Sequence, residues 1–278
     1  MQTQLELKEK NEIITREREE LRIAHRRLSE AMDRLQEDIR LAAEIQTALL
    51  PAEGVEPLPE AVSIVRRFSP EMAVGGDFFD FAAVGESRLA VILSDVSGHG
   101  LQGAFVTGLI KTSFELAGDL RLDAAGFVKN LNSTLHRLTP PSNFATILYC
   151  VYEADTRSLH YVNAGHMPLP IYMEPGGEPR PLSEQSNLVL GVTELDEFSV
   201  EQFEMPPGAK LLLATDGLMD AQDLHGERFG YERMLQAARK HADARAADFD
   251  NGLFEELMCF TKGAPQPDDI AMLTFEFL

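Results

Sequence analysis

The first forty residues place an apolar side chain at every seventh position, Leu7, Ile14, Leu21, Leu28 and Leu35, in a charged stretch without Gly or Pro. A sustained heptad predicts a helix that pairs through one seam, with these residues at d. The a positions are then Asn11, Arg18, His25, Met32 and Ile39. A lone Asn at a favours a parallel dimer in one register, while Arg18 and His25 weaken its middle. A homodimer through residues 7–39 is the expectation, and a single helix whose leucines pack on the rest of the chain is the alternative. The pattern opens without a cap, which leaves room for an upstream sensory or receiver domain in a longer chain. After Leu41 the seam gives way to a denser apolar face, Ile45, Leu49 and Leu50, expected to bury against the downstream domain. Pro51 stops the helix, since proline cannot continue it.

Beyond Pro51 the period changes. Residues 61–68 read as a first strand, and the apolar run 89–93 as a buried one. Helices are predicted over 101–116 and 124–138. The first carries Leu101, Phe105, Leu109 and Leu116 on one side, with Gly103 and Gly108 allowing close approach to a sheet. Residues 144–152 and 158–163 form a hairpin pattern. Further strands fall near 169–173, 188–190, 198–204 and 211–215, helices near 231–241 and 246–261, and a last strand comes after Asp269. Phe78, Phe79 and Phe81 read as core. Runs of antiparallel strands with two groups of helices predict an α+β protein, sheet packed on sheet with helices outside. Two separate strand-and-helix domains are the alternative. The chain divides into a helix, 1–50, and a domain, 51–278.

Charge narrows the partners. Of a net charge of −20, residues 1–45 contribute nine Lys/Arg against eleven Asp/Glu, so −18 falls on the remainder. Such a surface disfavours nucleic acid and anionic membranes. No apolar run is long enough to span a bilayer, and the N-terminus has no signal-peptide core. Cys150 and Cys259 lie in apolar contexts and read as reduced core residues of a cytoplasmic protein.

The apolar runs end on carboxylates. Asp95 closes one strand before the turn Ser97-Gly98-His99-Gly100, and Asp216 closes another before Gly217. Asp268 and Asp269 open the last strand, and Asp77 comes after Gly75 and Gly76, which permit a tight turn or close approach to a ligand. An isolated Asp at a strand tip is usually a turn former. Four such ends, all oxygen and none with Cys, suit Mg²⁺ or Mn²⁺ rather than zinc.

The ordered set Gly75-Gly76-Asp77-Phe78-Phe79-Asp80, Asp95-Val96-Ser97-Gly98-His99-Gly100, Asn163-Ala164-Gly165-His166, Thr215-Asp216-Gly217 and Asp268-Asp269-Ile270 resembles the SpoIIE/RsbU-type branch of the metal-dependent (PPM) serine/threonine protein phosphatases. The resemblance implies a four-layer α/β/β/α sandwich preceded by a coiled-coil linker helix. It implies two Mg²⁺ or Mn²⁺ ions bridged by Asp95, with Asp77 and the Val96 backbone carbonyl, and with Asp216 and Asp268 on the other side. Asp269 competes for the last position, and Asp80 is expected behind the ligands or at the surface. Water activated by the two ions would attack phosphorus, and His99 is a candidate proton donor to the leaving alkoxide, rivalled by a second metal-bound water. No arginine matches the phosphate-binding arginine of eukaryotic-type relatives; Arg66 and Arg67 lie nearby but outside its motif. Asn163 and Gly165 fit a tight turn, with His166 satisfied locally. Ala271 departs from the commoner Thr after Asp-Asp-Ile. The implied substrate is a small phosphorylated protein, an anti-sigma-factor antagonist of STAS fold. Rotation of the linker helix (Ile45, Leu49, Leu50) is expected to move the Gly75-Gly76 loop and so regulate Asp77. A catalytically inactive dimeric module and a nucleotidyl cyclase, suggested by Gly75-Gly76-Asp77-Phe78-Phe79, are the rivals.

Overall fold

The computed structural model describes residues 2–278 other than 53, 73, 99 and 141; the side chains of 2–9 and 11–13 also lie outside the description. The chain forms two units, Met1–Glu44 and Ile45–Leu278. Helix α1 (Gln2–Leu49) runs through the first and gives its last turn to the second. In the first unit Ile14, Leu21, Leu28, Met32 and Leu35 all face solvent. Leu7 and Asn11 of the heptad lie among the side chains outside the description. What supports the helix itself is a set of exposed pairs one turn apart, Arg16–Glu20, Arg22–Glu19, and Arg40 with both Glu37 and Glu44. Exposed to water, each such pair adds little.

The second unit runs β1 (Val62–Ser69), β2 (Phe78–Val84), β3 (Arg88–Val96), α2 (Leu101–Leu116), a short 3-10 turn, α3 (Ala124–Leu138), β4 (Ala145–Glu153) and β5 (Ser158–Ala164). It continues β6 (Ile171–Met173), β7 (Arg180–Pro181), β8 (Glu201–Glu204), β9 (Lys210–Ala214), α4 (Asp216–Asp220), α5 (Gly230–Lys240), α6 (Ala246–Thr261) and β10 (Ile270–Phe277). Two antiparallel sheets result, ordered β1-β10-β9-β6-β7 and β2-β3-β4-β5-β8.

Three apolar layers hold the sandwich. On β3, Leu89, Val91 and Leu93 face the other sheet, where they meet Leu211, Leu213, Leu273 and Phe275. Ala90 and Ile92 face the opposite way, onto Ile110 and Phe114 of α2 and Phe127 and Leu131 of α3. A strand covered on both faces must be apolar throughout, which is why it reads as a continuous run. Beneath the other sheet, Leu212 and Met272 pack on Phe249 and Leu253 of α6 and Met234 of α5. The order is thus helices, sheet, sheet, helices, the expected four-layer arrangement. Arg67 of β1 binds the fully buried Asp250 of α6 through two nitrogens, at 2.7 and 2.9 Å, tying that helix to its sheet.

Some local expectations change. On α2 the buried face is Gly103, Val106, Thr107, Ile110 and Phe114. Leu101, Phe105 and Leu116 are exposed, Phe105 by 77%. Val106, Ile110 and Phe114 pack on the sheet, and Gly103 lets the start of the helix lie against the loops beside it: a Cβ on Gly103 would stand 2.9 Å from the Gly98 carbonyl oxygen and 3.1 Å from Gly76 Cα. Around 188–190 there is no strand, only isolated bridges from Leu190 to Ala145 and from the neighbouring Asn187 to Ala164. The strand expected at 198 begins at Glu201. Cys150 is buried but Cys259 is exposed on α6, and both are free thiols.

Candidate metal centre

The strand ends open into one pocket of about 390 Å³. Asp95 stands at the end of β3, on one sheet. Asp216 begins α4 directly after β9, and Asp268 and Asp269 precede β10, on the other sheet. All four line the pocket, with Val96, Gly75, Gly76, Met72, Phe144 and Thr146. No Lys or Arg lines it among the described residues. Burial first, then Asp216, Asp268 and Asp269, push the Asp95 carboxyl up to about 7. Burial first, then Asp268, push Asp216 up to about 6. Asp77 lies deeper, 3% exposed, and accepts a 2.5 Å hydrogen bond from the Thr215 hydroxyl. Burial and then Asp95 raise its pKa well above the usual carboxylate range.

Among the described residues no three of these side chains are already gathered closely enough to hold a cation. The donor set nevertheless fits one. It is all oxygen, it comes from both sheets, and its members raise one another's proton affinity for want of positive charge.

The two neighbouring aspartates divide their roles. Asp269 is buried, and its two oxygens accept from the backbone N–H of Glu71 at 2.8 Å and of Gly76 at 3.0 Å. A Cβ on Gly75 would fall 1.6 Å from the Asp269 carboxylate, and one on Gly217 would fall 1.8 Å from its carbonyl oxygen. The backbone at Glu71, Gly75 and Gly76 is therefore gathered on Asp269, while Asp268 beside it is exposed; both line the pocket.

The same loop is held from its other side by Gln46, in the last turn of α1. Its amide pairs with the Gly75 backbone in both directions, Nε2 donating to Gly75 O at 2.8 Å and Oε1 accepting from Gly75 N at 3.0 Å. Gln46 is buried, whereas Ile45, expected to bury, is 65% exposed. The reason is helical phase: Gln46, Leu49 and Leu50 are spaced i, i+3, i+4, and Ile45 sits about 100° round from Gln46. Leu49 and Leu50 do pack on the core as expected.

His166 is 1% exposed and reaches well beyond its own turn. Its backbone is fixed by Asn163, whose Oδ1 accepts from His166 N at 2.8 Å and whose Nδ2 donates to His166 O at 3.2 Å. Its ring lies 2.8 Å from the Thr146 hydroxyl through Nδ1 and 3.0 Å from the Ala214 carbonyl oxygen through Nε2. A carbonyl only accepts, so Nε2 carries a proton. Burial pushes this imidazole down to about 4. In the neutral form that burial favours, Nε2 donates to Ala214 and Nδ1 accepts from the Thr146 hydroxyl.

His99 lies outside the described residues. Arg66 donates to Ala52 O and Arg67 is engaged by Asp250, so neither lines the pocket. Asp80 is buried in an ion pair with Lys111 of α2 at 2.7 Å and does not line the pocket either.

Residues 85–278 match the family model for stage II sporulation protein E (SpoIIE). The chain is 27% identical to protein IcfG of Synechocystis sp. over 233 residues, 74% of this chain and 36% of that one. It is 27% identical to phosphoserine phosphatase RsbP of Bacillus subtilis over 188 residues, 66% of this chain and 45% of RsbP. The chain thus spans less than half the length of these relatives. Its fold is similar to the SiaA-PP2C domain of Pseudomonas aeruginosa, with a TM-score of 0.76 at 23% identity, covering 89% of this chain and 98% of that domain. It is also similar to the catalytic domain of the serine threonine phosphatase PstP in complex with two manganese ions, with a TM-score of 0.56 at 16% identity, covering 78% of this chain and 98% of that one.

Proposed function

The chain belongs to the SpoIIE family, and on that premise we propose that it is a Mg²⁺- or Mn²⁺-dependent phosphatase acting on phosphoserine or phosphothreonine of a small regulatory protein. The observation that carries this reading is the meeting of Asp95, Asp216 and Asp268, from ends of two different sheets, around one pocket lined by no described Lys or Arg. Asp95 would lie between two ions, Asp77 and the Val96 carbonyl on one side, Asp216 and Asp268 on the other. When bound, the ions supply positive charge against phosphate and acidify a water for in-line attack.

The residues of the chain supply the rest. The carboxylates offer hard oxygen at fixed backbone positions. Gly75 and Gly76, held by Gln46 and Asp269, line the same pocket. With Arg66 and Arg67 engaged elsewhere, recognition of phosphate falls to the ions. His99 is the proposed proton donor to the leaving alkoxide. A phosphorylated STAS-domain antagonist is the substrate the family resemblance favours. The solvent-facing heptad stripe supports a parallel homodimer through residues 7–39, and the Gln46–Gly75 pairing supports control of the loop by the linker helix. Among the described residues no helix is long and apolar enough to cross a membrane, and the free thiols favour a reducing, cytoplasmic setting.

The test is hydrolysis of p-nitrophenyl phosphate by the full chain with Mn²⁺, with and without chelator, beside turnover of GTP. Mn²⁺-dependent hydrolysis that Asp95→Asn abolishes supports the phosphatase. Silence with every divalent metal would make the chain an inactive dimerising module, and cyclic or dinucleotide product from GTP would make it a cyclase.

A further inference from the structure

His166 sits where the two sheets must agree. Thr146, the donor to its Nδ1, is the register partner of Asp95 across β3 and β4. The Thr146 hydroxyl oxygen also lies 3.4 Å from the Asp95 carbonyl. Ala214, the acceptor from its Nε2, is the last residue of β9 and stands two positions before Asp216. Between them, Thr215 donates its hydroxyl to Asp77, accepts the Ala271 N–H at 2.9 Å through that hydroxyl, and gives its own N–H to Ala271 O at 3.0 Å. One imidazole thus joins Thr146 of β4, which pairs with Asp95 on the neighbouring β3, to the strand end that carries Asp216, and through Thr215 to Asp77.

We propose that His166 is a positioning residue that sets the separation of Asp95 and Asp216 across the gap between the sheets, and with it the affinity of the site for its cations. The argument is geometric. Three backbones converge on the carboxylates, and hydrogen bonds within a sheet do not fix the distance from one sheet to the other. Apolar packing between sheets fixes their spacing only loosely, because it has no direction. A ring with one donor and one acceptor on opposite edges, sealed from water, does have direction. Its anchor is equally rigid: Gly165 takes a positive φ of 72°, and a Cβ there would fall 2.3 Å from the Val189 side chain. Partners that orient metal ligands typically carry tenfold to hundredfold effects on affinity.

The experiment compares His166→Phe, which keeps an aromatic ring and removes both contacts, with His166→Gln, whose amide presents one donor and one acceptor. Mn²⁺ binding to the metal-free full chain is read by calorimetry, and thermal melting is read in parallel. The expected result is Mn²⁺ affinity at least about tenfold weaker in His166→Phe and largely restored in His166→Gln. KM for p-nitrophenyl phosphate at saturating Mn²⁺ should change less than twofold. Wild-type Mn²⁺ affinity in a folded His166→Phe overturns the assignment and leaves His166 a core residue; should that variant not fold, wild-type affinity in Thr146→Val, which keeps the shape and removes the hydroxyl bonded to Nδ1, overturns it instead. The assignment rests on the metal reading above, and the two fail differently: a wild-type chain that binds no Mn²⁺ rejects the metal centre itself, whereas equal binding by wild type and His166→Phe rejects only His166.

Discussion

Replacing Asp95 by Asn should abolish turnover and, in the metal-free protein, raise stability. In the metal-free fold the Asp95 carboxyl is pushed up to about 7 by burial and by Asp216, Asp268 and Asp269. In an unfolded chain an Asp titrates near ~3.9. Between those values the folded chain binds more protons than the unfolded one, so stability falls as pH rises through the window. Fully ionised, the displacement is worth roughly 4 kcal/mol. Water in the open pocket relaxes part of the repulsion, which brings the expected gain for Asp95→Asn to about 2–4 kcal/mol at pH 8. For a domain of this size that is a rise in Tm of roughly 4–16 °C. His166 works in the opposite sense: its value near 4 lies below the ordinary ~6.5, so its contribution is full above that pH and is lost as pH falls toward 4. Both proteins keep His166, so it cancels in the difference. The assay is urea and thermal unfolding in EDTA from pH 4 to 8. The stability difference should be largest at pH 8 and shrink toward zero by pH 4, and saturating Mn²⁺ should reverse it by stabilising wild type alone. An Asp95→Asn chain no more stable than wild type in EDTA at pH 8 would refute the claim that the carboxylates strain one another and await a cation.

Asp268→Asn should weaken Mn²⁺ binding with little change in melting, whereas Asp269→Asn should lose about 1.5–3 kcal/mol of stability, since it weakens two charge-assisted bonds to the 71–76 loop. The reverse pattern, read by calorimetry and melting, would exchange their roles. Arg67→Ala leaves Asp250 buried without its cation, and unfolding should become easier by about 3–5 kcal/mol; a loss under about 1 kcal/mol in urea titration would show that the pair does not hold α6 to its sheet. Gln46→Leu keeps the helix face apolar but removes both bonds to Gly75. Turnover or Mn²⁺ dependence should shift several-fold with melting near wild type, and unchanged kinetics would make the linker a tether.

The carboxylates, the two sheets and the long helix were legible before any coordinates, because each is written locally. Period two, period three and a half, and an Asp at the tip of an apolar run need only neighbouring residues to be recognised. Residues 101–116 and 124–138 were bounded correctly by the same logic. The face of α2 was not, since its Gly103 lies against the loops at Gly75-Gly76 and Gly98, and what fits beneath a helix depends on how distant segments pack. Gln46 carried a signal that could have found it, a lone amide at i, i+3, i+4 spacing with Leu49 and Leu50, but the more apolar Ile45 outweighed it. His166 carried less: Asn163, Gly165 and His166 account for a turn by themselves, and nothing nearby in sequence points to Ala214. Likewise Asp268 and Asp269 are equivalent as a dipeptide. Only the arrival of the Glu71 and Gly76 N–H groups from almost two hundred residues away engages both Asp269 oxygens and sets it apart from the exposed Asp268 in the same pocket. The sequence by itself thus determined which residue types and strand ends are available for chemistry. The tertiary structure decided which of them face a common space, because hydrogen bonds between distant segments fix direction and distance, and the local pattern of apolar and polar residues encodes neither.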